Sequence, residues 1–480
     1  MVNKEDGESG SRRRSSGGSG KVVRSAIEAL PETVLSEAAG AIRAESKERG
    51  LLIDVKDGQQ MIIPVSMTPW VIRRSTARYF QTLFRGIRRT VNRVLANYVE
   101  DPKLQEILPL RETELAWLKA SCAGGMPRPQ TVFERFDTNL GPNVEEQLST
   151  FKIIEFNAVG IGCIYLMPAA TELLEKYLLP PLKEQIPNIS LIPAFDYRKL
   201  LLGELQAHAK ALGRPECRVG FVERREFVHG GTDEFNKIIP YFDSLGVHSI
   251  IGDPREVERN EEIFSIKGEE IDVVYRDFQL EEVVSIKTHG GSVDGIEDAF
   301  AKNRVVSTVF GEFDHKSLCE LLTNPEFARY FSAQEIRAVR RRIPWTRLVM
   351  ERKTAGMEDQ EVDLIPYIQK NRENLVLKPN RSYGGEGVIV GADASDSAWE
   401  KGVEQAVAKP KTWVVQEKVA IAKAPMMVLR QTGKLQIEEQ YVTLSVTATG
   451  RGVAFVGRCS AEPVVNISQG GGLVPVFLSV

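Results

Sequence analysis

The chain has 480 residues, is 42% apolar and carries a formal net charge of -3. That length predicts about two to four packed units with ample core, and the near-neutral charge offers no basic field for nucleic acid. No apolar run reaches the roughly 18 residues of a membrane-spanning helix, and the N-terminus lacks the apolar core of a signal peptide, so the expectation is an ordinary soluble chain with a cytoplasmic address. The five cysteines, Cys122, Cys163, Cys217, Cys319 and Cys459, are scattered and form no CxxC pair. Such a set suits a reducing compartment and argues against structural zinc. The five histidines show no HExxH spacing.

Residues 1–22 open with MVNKEDGESGSRRRSSGGSG, which has almost nothing to bury and reads as a disordered tail. GGSGKVV resembles a phosphate-binding loop only superficially. No Ser or Thr follows Lys21 and no apolar strand precedes it. Residues 23–129 read as a helical region. Within VIRRSTARYFQTLFRGIRRTVNRVLANY (71–98), Tyr79, Phe80, Leu83, Phe84, Ile87, Val91, Val94 and Leu95 form one apolar stripe. The arginines opposite read as a solvated face.

Residues 130–200 change character. QTVFERFDTNLG and FKIIEFNAVGIG are short apolar runs bounded by Asn and Gly, and predict two strands. A helix follows over MPAATELLEKYLLPPLKEQI. Residues 201–290 read as a Rossmann-like unit: strand ECRVGFVERR, helix TDEFNKIIPYFDSLG, strand VHSIIGD and strand IDVVYRDF imply a parallel sheet. VVSTVFGEF and HKSLCELLTN then read as strand and helix. In 291–480, LVLKP, GVIVG, TWVVQEKV, QYVTLSVTATG and VAFVGRCS predict a mostly antiparallel sheet. RRRIPWTR (340–347) reads as a solvated helix end and a turn at Pro344. The fold class expected is therefore mixed α/β (α+β).

Three stretches carry candidate chemistry. NLVLKPNRSYGGEGVIVG (374–391) sets Lys378 before Ser382, Gly384, Gly385 and Gly387. Backbone N–H groups approach phosphate closely only where no side chain intervenes. The residues alone leave two readings, a plain hairpin with a surface lysine or a lid over something anionic. In IIEFN, Glu155 and Asn157 share a strand face, as do Arg135 and Asp137 in FERFD. If the two strands pair, Asp137, Glu155 and Asn157 converge with Arg135 beside them, a hard-ligand set suited to Mg²⁺. The alternative is a polar face of a half-exposed sheet. TWVVQEKV can offer backbone groups to an adenine edge, with Gln416 and Glu417 at its rim.

Together, KIIEFN, VLKPNRSYGGEGVIVG, WVVQEKV and VGRCS…VVNISQGGGLVPV resemble a circularly permuted ATP-grasp ligase over roughly residues 130–480, with the lysine and glycine loop following the metal-type strands. The better-known relatives are the synthetase domain of glutathionylspermidine synthetase and eukaryotic-type glutathione synthetase. The resemblance implies that 130–200 is the metal-ligand half and 291–480 the nucleotide-binding half with its glycine-rich lid. It implies ATP and Mg²⁺ as cofactors, with Asp137, Glu155 and Asn157 as metal ligands. Arg135 matches an arginine that contacts the transferred phosphate or the acyl carboxylate. Lys378 and Lys316 match ATP-contacting lysines, Arg458 and the Asn466–Gly472 stretch complete the phosphate site, and Arg276 lines the cleft. Ser382 is a departure, since some relatives carry an acidic metal ligand there. The activity implied is amide formation between a carboxylate and an amine (amino acid, short peptide or polyamine) through an acyl phosphate. A phosphotransferase and a nucleotide-binding scaffold without catalysis are the alternatives. No nucleic-acid or membrane partner is expected, and a homo-oligomer is left open.

Overall fold

The computed structural model describes residues 19–54, 60–226, 233–382, 384–429 and 434–480. Most of the expected tail, residues 1–18, lies outside the described residues. Its last four residues belong instead to a helix, Ser19–Glu28. Val23, Ala26, Ile27 and Leu30 recur at helical spacing and are buried, which gives that segment a reason to pack.

The helical region contains Glu32–Glu48, Arg74–Leu95, Pro102–Ile107 and Glu112–Cys122. It also contains three short strands that the helical reading missed: Leu52–Asp54, Gln60–Ile62 and Trp70–Arg73. Trp70–Arg73 pairs in parallel with Val476–Ser479, which pairs antiparallel with Leu191–Pro193. The N-terminal region is therefore stitched to the end of the chain. In Arg74–Leu95 the stripe Phe80, Phe84, Ile87, Val91, Val94 and Leu95 is buried as its spacing predicts, whereas Tyr79 is exposed. The opposite face is not all solvated, because Arg88 turns inward to the buried carboxylate of Glu134.

The parallel sheet runs in the order Val305–Val306, Val273–Asp277, Val219–Glu223, Ser249–Gly252. Its first strand carries the sheet past the expected border at 290. A three-stranded antiparallel insert, Val257–Asn260, Ile263–Ile266 and Glu269–Ile271, lies on it. Ile266 fills the space over Gly220 and Gly252, where a Cβ would have to displace it. A four-stranded antiparallel sheet orders Thr346–Leu348, Trp413–Glu417, Leu375–Pro379 and Ile389–Val390. The largest sheet brings Gly472–Val474, Val453–Ser460, Leu435–Ala448, Arg135–Thr138 and Ile153–Asn157 side by side, with Ala422–Leu429 on Leu435–Ala448. Among the described residues, no helix is long and apolar enough to cross a membrane.

Two expectations for arginines are corrected by burial. Arg276 does not line the cleft. Its side chain is fully buried, donates to the carbonyls of Ser307, Thr308 and Phe278, and pairs with the equally buried Glu312. The expected strand VVSTVFGEF is cut short at Val306 and coils as Val309–Phe313 around this guanidinium. Gly311 permits it, since a Cβ there would stand 3.0 Å from Arg276 Nη2. In RRRIPWTR, Arg342 and Arg347 are buried rather than solvated. Arg342 donates to the Leu148 and Phe151 carbonyls, and Arg347 to those of Thr346 and Ala355. Removing one partner of a buried ion pair strands the other charge and costs about 3–5 kcal/mol. Glu312→Ala is accordingly expected to lower the urea midpoint by a comparable stability loss. An unchanged midpoint would show that Arg276 is held by its carbonyl acceptors alone.

Candidate functional site

The two short strands with the FERFD and IIEFN motifs pair antiparallel, with Arg135 opposite Asn157 and Asp137 opposite Glu155. Phe136 and Phe156 point the other way, 5.3 Å apart between ring centroids, and Phe136 packs 4.8 Å from Phe84 of the long helix. Alternation does the rest: with the phenylalanines in the core, the four polar side chains face a cleft of about 760 Å³. All four line it, as do Lys316, Lys378, Ser382, Gly384, Gly385, Gln416, Glu417, Arg458 and Asn466. Gly387 does not; it lies behind the loop, where a Cβ would meet Pro379 at 2.9 Å.

Charges are paired around this floor. Arg135 Nε stands 2.8 Å from Asp137 Oδ1, and Arg458 Nη2 2.9 Å from Asp137 Oδ2. Arg458 reaches across Ser445, which neighbours Asp137 in the sheet, and also donates to its hydroxyl at 3.0 Å. Lys316 Nζ lies 2.8 Å from Glu155 Oε1 and donates to the Ser382 carbonyl. Lys378 Nζ donates to Gln416 Oε1 at 2.6 Å, and Gln416 donates onward to Thr346 Oγ1 at 3.0 Å. Glu417 holds the start of the next strand by accepting from Trp345 N at 3.2 Å.

Gly384 and Gly385 of the glycine loop line the cleft together with residues 463–467. Gly384 and Gly385 take φ of 70° and 76°, which favours glycine. Gly385 also backs onto Val464, where a Cβ would stand 2.5 Å from Cγ1. The Gly384 carbonyl accepts from Asn466 Nδ2 at 3.0 Å and Gln469 Nε2 at 3.1 Å, so the loop is tied to the 463–469 segment.

Asn380 and Arg381, two residues that the motif reading passed over, position this machinery. The Asn380 carbonyl accepts from Lys316 N at 3.0 Å and its side chain accepts from Ser317 N at 2.9 Å, which joins the two lysine segments. Arg381 makes two bonds to the buried Glu114 carboxylate, at 2.7 and 2.8 Å. Both residues stand directly behind KP in the lysine motif, and that adjacency was the available signal.

Two buried donors facing the cleft lack acceptors. Among the described residues, Asn157 Nδ2 and Arg458 Nε have no hydrogen-bond partner. Buried polar groups are normally satisfied, so these atoms are suited to an oxygen-rich ligand. Among the described residues, no group of three or more His, Cys, Asp or Glu side chains could hold a metal ion. A Mg²⁺ here would have Asp137, Glu155 and the Asn157 carboxamide. That set fits the ion, which is usually bound by one or two carboxylates together with substrate phosphates.

Burial raises the cost of ionising Asp137, yet Arg135 and then Arg458 outweigh it and hold the carboxyl well below the usual range. The opposite holds for Lys378. Burial is the largest influence and depresses its pKa, Lys316 adds to this, and Glu155 opposes it.

No protein-family model matches the chain, and no curated protein matches its sequence. Among solved structures, a glutathione synthetase like-effector from Globodera pallida in its apo form superposes with a TM-score of 0.58 at 12% identity, over 94% of this chain and 98% of that one. A putative gamma-glutamylcysteine synthetase from Methylobacillus flagellatus KT aligns with a TM-score of 0.36 at 11% identity, over 77% and 88% of the two chains, too loosely to compare architectures. The mixed α/β fold of the chain is similar to that of the Globodera pallida structure.

A depressed carboxyl pKa gives stability that is present above the unfolded-state value, near 4, and lost as pH falls through the folded value. Asp137→Asn strands Arg135 and Arg458, so thermal unfolding is expected to show a clear Tm deficit at pH 7. That deficit is expected to narrow below about pH 4, where wild type begins to lose the same interaction. A deficit that does not change with pH would assign it to packing.

Proposed function

We propose that the protein is an ATP-dependent carboxylate–amine ligase that activates its carboxylate as an acyl phosphate and releases ADP and phosphate. The observation that carries this reading is the meeting of two paired strands and two lysines in one cleft. Arg135, Asp137, Glu155 and Asn157 present one polar face, while Lys316 and Lys378 line the same cleft beside the glycine loop. The metal-type strands precede the lysine loop in the chain, which is the order of a circularly permuted ATP-grasp fold, and the likeness to a glutathione synthetase-like structure is consistent with that family.

Phosphoryl transfer asks for positioning and charge neutralisation more than for a protein nucleophile. Lys378 and Lys316 supply point charges for the nucleotide phosphates. The backbone of Ser382, Gly384 and Gly385 would approach them, and the strand of Gln416 and Glu417 would offer its rim to an adenine edge. A bound Mg²⁺, held by Asp137, Glu155 and Asn157, would neutralise phosphate oxygens. Arg135 and Arg458 orient the carboxylate, one oxygen of which attacks the γ-phosphorus as the bond to the β-γ bridging oxygen breaks. An amine then attacks the acyl carbon, the amide bond forms, phosphate leaves with the acyl C–O bond pair, and the amine sheds its proton. The glycine loop serves this second stage by keeping water from the acyl phosphate.

Binding alone tests the nucleotide part. At free Mg·ATP about 100 times Kd, mass action is expected to add about 2.7 kcal/mol of stability. Glu155→Gln and Lys378→Ala are each expected to lose most of that gain while keeping the wild-type circular dichroism spectrum. Lys378→Ala is also expected to cut turnover by roughly 100-fold, the scale of losing one electrostatic stabiliser. A full Mg·ATP shift in both variants would remove the nucleotide from this cleft.

A further inference from the structure

The cleft continues beyond the arginines to the C-terminal ends of the parallel strands, where its wall is acidic. Glu223 and Asp277 end neighbouring strands and stand opposite each other in register. Both line the cleft. Nearby acids are already committed. Glu234 accepts from the backbone N–H groups of Cys163 and Tyr165, at 2.6 and 2.7 Å. Glu282 accepts from Gln279 N and pairs with Arg224, and Glu281 pairs with Arg111. Among the described residues, the carboxylates of Glu223 and Asp277 have neither a hydrogen bond nor an ion pair.

Side-by-side carboxylates without a cation are costly, and charges taken out of water are normally paired. Burial, followed by Glu282 and Glu234, pushes Asp277 up to about 6. Burial, followed by Asp277 and Asp233, pushes Glu223 up to about 7. The cleft holds other unmet demands among the described residues. Gln279, two residues beyond Asp277, has a buried Oε1 with no donor. On the strand floor, Asn157 is only 8% exposed, lines the cleft, and has an amide nitrogen with no acceptor. The backbone just after Asn157 leads to Gly160, where a Cβ would stand 2.6 Å from Asp277 Oδ1. Glycine at this point lets the carboxylate lie against the chain that links the two ends of the cleft.

We propose that Glu223 and Asp277 form a subsite for the ammonium group of a ligand whose other end reaches the Asn157 amide. An ammonium has three donors, matching two carboxylates and the Gln279 carbonyl. A guanidinium fork instead favours one carboxylate side-on, and among the described residues no larger acidic set suits a metal ion. Naming this ligand the amine substrate rests on the ligase reading; the ammonium subsite does not.

Titration calorimetry of the full chain without nucleotide tests it, with 4-aminobutanoate as the probe and 4-hydroxybutanoate as its counterpart without the ammonium. Saturable binding of the amino acid is expected, and binding at least tenfold weaker for the hydroxy acid. Glu223→Gln and Asp277→Asn are each expected to raise the amino acid Kd about tenfold or more. A raised carboxyl pKa costs stability as pH climbs above the unfolded value, and the cost is full above the folded one. Both variants should therefore be at least as stable as wild type at pH 8, with the advantage fading toward pH 4. Absence of 4-aminobutanoate binding to wild type, equal binding of the hydroxy acid, or wild-type affinity in both variants would overturn the subsite. Mg·ATP titrated separately keeps the two claims apart: failure there defeats the ligase reading and leaves the 4-aminobutanoate result standing.

Discussion

The antiparallel register of Arg135–Thr138 with Ile153–Asn157 is the constraint on which the site depends. A slip of one residue would send Arg135, Asp137, Glu155 and Asn157 into the core and the phenylalanines into the cleft. The aromatic contacts prevent that slip, because Phe136 is held between Phe156 and Phe84. The pairing shifts directly after Asp137, so the regular register covers Arg135, Asp137, Glu155 and Asn157.

Around that floor, electrostatics joins parts of the chain that are far apart in sequence. Glu155 meets Lys316, Asp137 meets Arg458, and Arg381 behind the lysine strand meets Glu114 from the helical region. Lys316 is in turn carried by the carbonyl of Asn380, whose side chain accepts from the neighbouring Ser317 N. These links cost desolvation, and each is justified where a ligand can exploit the field it creates. Among the described residues the cleft is bipolar: arginines, lysines and donors without acceptors on one side, and carboxylates without cations at the edge of the parallel sheet. A ligand with an anionic end and a cationic end would be oriented by that polarity before any chemistry.

Much of this was legible in the sequence because period and chemistry agreed. Two-residue alternation in FERFD and IIEFN gave both the strand face and its polar set, and the βαβ pattern from 216 announced the parallel sheet. Other parts were hidden for physical reasons. In VVYRDF a strand buried on both faces gives no periodic clue to direction, so nothing local opposes the place in the cleft that the family resemblance implies for the arginine. Arg276 is in the core and its neighbour Asp277 lines the cleft. VERNEEIFSIKGEEI is too charged to suggest a sheet, yet its Phe264, Ile266 and Ile271 are buried in the insert. The strand Trp70–Arg73 could not be foreseen locally, since its partner is the other end of the chain. Arginines 342 and 347 looked solvated because nothing local reveals the carbonyls that surround them.

The central claim is that the cleft directs a carboxylate at the γ-phosphorus of ATP. The most direct measurement is the identity of the nucleotide product when the purified protein is incubated with Mg·ATP, a panel of carboxylates and hydroxylamine. Phosphorus NMR for the nucleotide and colorimetry for the hydroxamate read both halves of the reaction. The account predicts ADP and hydroxamate in equal amounts, dependent on one carboxylate class. AMP with pyrophosphate would place attack at the α-phosphorus and contradict it.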